Sequence, residues 1–96
     1  MNEAYWRARW EPLAGKIGDD LARNVELSQR IYDLTIELSG IGPLNARRAG
    51  VEAERQRLIT ERERNDHVIA EDKAALADIQ EEGRRAGALP GWFRSR

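Results

Sequence analysis

No cysteine occurs in the 96 residues, so disulfides, thiolate nucleophiles, iron–sulfur ligation and every cysteine-containing zinc site are excluded together. Histidine occurs once, at His67, which leaves one side chain for any imidazole chemistry. Large aliphatics are scarce as well: Leu, Ile, Val and Phe supply 20 of the 96 residues, close to the composition at which a chain stops folding by itself. The longest apolar run is Ala74-Ala75-Leu76-Ala77, against the roughly 20 residues that a membrane span requires. The N-terminal segment MNEAYWRARW carries charges where a secretory signal would have its apolar stretch, so a cytoplasmic location is expected. An excess of one charge is also missing, because 16 basic and 17 acidic side chains leave a net charge of −1. The low-hydropathy, high-net-charge route to disorder therefore does not apply. A chain of 11.0 kDa without covalent staples completes a thin core most readily by oligomerising.

Proline is present three times, at Pro12, Pro43 and Pro90. The only concentrated turn signal is Ser39-Gly40-Ile41-Gly42-Pro43, with Gly40 suited to a left-handed helix terminus and Pro43 to the first turn of the next helix. The sequence predicts an all-α fold in a single domain over 1–96. Its parts are a short N-terminal helix or extension over 1–11, a helix over 12–39, a turn at 40–43, a second helix over 44–87 and an aromatic, basic tail over 88–96.

What the two long stretches do contain is periodicity. Trp6, Trp10, Leu13, Ile17, Asp20, Asn24, Leu27, Ile31, Leu34, Leu38 and Ile41 are spaced alternately four and three apart, with Leu21 and Val25 flanking the polar gap. The second half has a poorer seam through Val51, Leu58, Asn65, Ile69, Leu76 and Ile79. A turn centred on residue 43 makes facing residue numbers total about 86, so Leu27 is expected near Ile59, Ile17 near Ile69, Trp10 near Leu76 and Asn24 opposite Arg62. The expected architecture is a long antiparallel helical hairpin, coiled-coil-like, paired with a second copy into a dimeric four-helix bundle. Asn24 and Asn65 would then lie near its interior, where polar seam residues fix register.

Reactive groups do not converge. His67 forms an i,i+4,i+8 line with Glu63 and Glu71, but bundle metal sites need Glu-x-x-His, and residue 64 is Arg. The hairpin resembles the small encapsulated ferritin-like proteins in length, yet without that spacing it implies no ligand set. No cofactor is expected, and a metal-binding bundle centred on His67 is the weakest alternative. There is no phosphate-binding loop and no Ser/His/Asp constellation, so an enzyme is not expected. Arg47, Arg48, Arg55, Arg57, Arg62 and Arg64 are interleaved with Glu52, Glu54, Glu61 and Glu63, which cancels the uncompensated stripe that nucleic acid needs. A nucleic-acid-associated bundle using Arg47, Arg48, Arg84, Arg85, Arg94 and Arg96 is the first alternative to a self-associating interaction or scaffolding module.

The aromatic residues are gathered at the two ends. Trp6, Trp10, Trp92 and Phe93 all lie within ten residues of a terminus, accompanied by Tyr5 and Leu89. Two uses are open: the tail folds back as a cap, with Trp92 between Trp6 and Trp10, or Leu89 to Arg94 docks a protein partner.

Overall fold

The structure, a computed structural model, describes residues 1–94. The chain is built from α1 (Glu3–Ser39), α2 (Arg47–Arg85) and one turn of 3-10 helix at Pro90–Trp92, with no strand among the described residues. No helix among the described residues is long and apolar enough to cross a membrane.

The N-cap of α1 is Asn2, whose Oδ1 accepts the Tyr5 N–H at 3.0 Å. The helix then runs through Pro12, so residues 1–11 are not a separate element. An interior proline costs roughly 3 kcal/mol. Trp6 and Trp10 before it and Ile17 after it are all buried, and at roughly 1.5–3 kcal/mol per large apolar side chain their burial outweighs the lost hydrogen bond.

The turn occupies residues 40–46 and is built differently from the sequence expectation. Gly40 is not left-handed; among the described residues only Gly87 has a positive φ, of 87°. Instead α1 closes with two tight bonds, from the Gly40 N–H to the Glu37 carbonyl at 3.1 Å and from the Ile41 N–H to the Leu38 carbonyl at 3.2 Å. Pro43 stays in the turn and α2 starts at Arg47 because Asn45 is the cap, its Oδ1 accepting the Arg47 N–H at 2.9 Å. Since α1 has no basic residue in its last turn, Arg48 of α2 supplies one: its guanidinium donates to the Leu38 carbonyl at 3.3 Å and the Ile41 carbonyl at 2.9 Å. At its far end α2 stops in a Schellman motif, the Ala88 N–H reaching the Gly83 carbonyl at 2.7 Å and the Gly87 N–H the Arg84 carbonyl at 3.2 Å.

Packing gathers the chain into two compact units. The unit Ala22–His67 contains the turn and the helix segments it joins as a two-helix hairpin. Its core is Leu27, Ile31, Leu34 and Leu58, with the half-buried Val51 and Ile59 packed against them. Cross-helix hydrogen-bond partners in this unit have residue numbers totalling 84 on one edge and 90 on the other, close to the expected 86. The unit Met1–Leu21 with Val68–Arg96 buries Trp6, Trp10, Ile17 and Ile69. Arg9 pairs with Glu82 at 2.7 Å, and Lys16 with Asp72, which fixes antiparallel segments there too.

Candidate interaction surfaces

Of the residues expected in an oligomer core, Ile17, Leu27, Ile31, Leu34, Leu58 and Ile69 are buried within the chain's own two units. Leu13, Asn24, Leu38, Val51, Asn65, Leu76 and Ile79 are half-buried. Leu21 is exposed, because at about 100° per residue it lies beyond the edge of the stripe that Ile17 and Leu27 bury. Asn24 does not meet Arg62. Its Nδ2 donates to Asp66 at 2.7 Å and Arg62 reaches Ser28, because on that edge partner numbers total 90. The Asn24 Oδ1 is buried without a hydrogen-bond partner among the described residues.

At the aromatic end the tail does fold back, but through a different residue. Phe93, not Trp92, meets Trp6, edge to face with centroids 6.2 Å apart. Its ring lies against Gly83, where an added Cβ would stand 2.5 Å from Cζ. Trp92 is half-buried in the 3-10 turn, while Leu89 and Arg94 are exposed. Tyr5 packs edge-on against Trp6 at 5.0 Å, and the Arg9 guanidinium lies 5.3 Å from the Trp6 ring centre. Arg9 is anchored by Glu82, and that hydrogen bond raises the guanidinium pKa and lowers the carboxyl pKa. Arg7 is buried between Glu3 and Glu11, chiefly Glu11, which raises its pKa. Trp10 Nε1 is buried with no hydrogen-bond partner among the described residues. A shallow pocket of about 220 Å³ adjoins this end, lined by Gln80, Arg84, Ala88, Pro90 and Phe93.

The other surface belongs to the Ala22–His67 unit, and its two edges differ. One edge is closed by complete ion pairs: Arg23 with Glu61 at 2.9 Å, Arg30 with Glu54 at 3.2 Å, and Arg47 with Glu37. The Arg23 bond holds the Glu61 carboxyl below its ordinary pKa. On the opposite edge Arg55 donates to the Thr35 hydroxyl at 2.7 Å and Arg62 to the Ser28 hydroxyl at 3.4 Å. Neither guanidinium is paired with a carboxylate among the described residues. Beside this edge, on the outside of α1, Val25, Tyr32 and Ile36 are exposed by 72%, 61% and 52%. Their spacing sets them within about 40° of helix arc. This second apolar stripe is legible in the 25/32/36 spacing alone, beside a seven-residue pattern that is longer.

The remaining arginines suggested for nucleic acid are mostly neutralised. Arg47 pairs with Glu37, Arg48 with Glu52, and both Arg84 and Arg85 with Glu81. Arg94 is exposed, and Arg96 lies outside the described residues. His67, Glu63 and Glu71 are exposed, and among the described residues no three His, Asp or Glu side chains gather as a metal site. No protein-family model, curated protein or solved structure matches the chain.

Proposed function

We propose that this chain is a non-enzymatic interaction or scaffolding module of the cytoplasm that self-associates as a homodimer through its helices. The observation that carries the reading is the exposed stripe of Val25, Tyr32 and Ile36, three large apolar side chains on one helix face in a chain otherwise poor in them. Burying each would yield roughly 1.5–3 kcal/mol, the kind of gain a small chain takes from assembly. A docking site for a different protein at the aromatic end, with Phe93 and the tail opening from Gly83, is compatible with this reading.

Light scattering over a concentration series near neutral pH tests it. The expected mass is twice 11.0 kDa, falling toward 11.0 kDa on dilution. A mass of 11.0 kDa at every concentration would remove self-association. Binding of a labelled duplex that weakens steeply between two salt concentrations would favour the nucleic-acid alternative instead.

A further inference from the structure

From the same unit we infer that the two copies dock α1 against α1 through the Val25–Tyr32–Ile36 stripe, with the two α1 helices parallel. This deepens the proposed homodimer and rests on it. The stripe is bounded on one side by Arg55 and Arg62, whose guanidiniums, among the described residues, are bonded only to the hydroxyls of Thr35 and Ser28. On its other side, about 60–80° further round α1 from Ile36, lie Asp33 and Glu26. Among the described residues Asp33 accepts only the neutral Gln29 amide, at 3.0 Å, and Glu26 is 70% exposed with a long contact to Arg23 at 3.3 Å. One face thus carries an apolar centre, a cationic flank and an anionic flank. Asp66, bonded to Asn24, ends the cationic flank.

Symmetry decides what such a face can meet. A two-fold axis parallel to α1 exchanges left and right, so the cationic flank of each copy lies on the anionic flank of the other. A two-fold axis across α1 makes the helices antiparallel and lays cation on cation and anion on anion, which opposes docking. The register also agrees with the first arrangement. Arg55 and Arg62 are seven residues apart, as Glu26 and Asp33 are. Their hydroxyl bonds set Arg55 at the level of Thr35 and Arg62 at the level of Ser28. Each is then offset by two residues, roughly 3 Å along the axis, from the Asp33 and Glu26 levels, well within the reach of an arginine.

Because the chain has no cysteine, single substitutions at exposed positions report the docking directly. Parallel docking places each stripe residue beside its own copy. Val25→Cys and Ile36→Cys, each alone in the full chain, should then form disulfide-linked dimers in most of the protein under a glutathione redox buffer. Thr60→Cys, exposed on α2, is the control for random collision and should remain largely unlinked. The two stripe ends are roughly 16 Å apart along α1, beyond the about 4.4–6.8 Å between Cα atoms that a disulfide spans. An antiparallel dimer would therefore link V25C to I36C in a mixture and neither variant to itself, overturning the inference. A dimer by light scattering in which neither stripe variant links above the T60C level would also overturn it, while leaving self-association in place. A monomer at all concentrations overturns both.

Discussion

Gly83 and Phe93 set up an energetic conflict that one double-mutant cycle resolves. Gly83 is buried in the last turns of α2 and costs the helix about 1 kcal/mol relative to alanine. Gly83→Ala would recover that amount if its surroundings were open. They are not: the new Cβ would lie 2.5 Å from Phe93 Cζ, 3.0 Å from Cε2 and 3.3 Å from the Ala88 Cβ. Carbon atoms rest at about 3.5–4.0 Å, so the ring must move by about 1 Å or leave. Ala88 is held by its N–H bond to the Gly83 carbonyl, so the ring is the part that gives. Its departure costs the edge contact with Trp6, about 0.5–1.5 kcal/mol, plus part of the ring's burial. Phe93→Ala alone should therefore cost about 2 kcal/mol, below the roughly 3–5 of a fully buried phenylalanine because the ring is half exposed.

Expulsion of the ring is the most that Gly83→Ala can cause, so its coupling to Phe93 is capped by the cost of F93A. In the F93A background, G83A should stabilise by about 1 kcal/mol. In the natural chain it should be neutral or destabilise by up to about 1 kcal/mol, giving a coupling of about 1–2 kcal/mol. Urea denaturation followed by circular dichroism at a fixed protein concentration reads all four corners. An equal stabilisation by G83A in both backgrounds would mean that Phe93 does not rest on Gly83 and that the tail is not folded back.

Leu27 and Leu34 are 1% exposed, so L27A and L34A should each cost about 2–5 kcal/mol in denaturant unfolding, whereas L44A, at a residue 98% exposed, should change stability by less than about 0.5. Comparable losses at all three positions would place the core elsewhere. Arg48→Met removes the cation from the Leu38 and Ile41 carbonyls and should cost about 1–2 kcal/mol, while Arg57→Met, at an exposed side chain, should cost almost nothing. Acid titration has a defined sign. The Arg84 hydrogen bond, assisted by Arg85, holds the Glu81 carboxyl at about 2, and Arg23 and Arg9 lower Glu61 and Glu82. Folded values below the ordinary 4.5 mean that these contributions are complete above about pH 4.5 and are lost as the pH falls toward 2. Thermal stability should drop over that window, by less in Glu81→Gln; a rise on acidification would contradict the ion pairs.

The helices themselves were legible because their cause is local. The scarcity of proline, the Ser39–Pro43 turn signal and the stripe through Leu27, Ile31 and Leu34 each act within a few residues. What escaped depends on contacts between distant residues or on competing signals of similar strength. Pro12 reads as a boundary until the burial of Trp6, Trp10 and Ile17 is known. Asn45 competes with Pro43 for the start of α2, and its side-chain bond to Arg47 decides in its favour. Phe93 rather than Trp92 meets Trp6 because the space above Gly83 admits a ring there, which no one-dimensional pattern encodes. The division of arginines into those with carboxylate partners and those with only hydroxyls likewise follows from cross-helix register: Arg23 and Arg30 find glutamates, Arg55 and Arg62 find Thr35 and Ser28.

Sedimentation equilibrium on the natural chain beside a variant carrying Val25→Ser, Tyr32→Ser and Ile36→Ser tests the proposed self-association and its face together. All three side chains are exposed, so the variant should keep its helical content. The expected result is a dimer of twice 11.0 kDa for the natural chain and a monomer of 11.0 kDa for the variant at the same concentration. A natural chain that stays at 11.0 kDa, or a variant that dimerises as tightly as the natural chain, would contradict it.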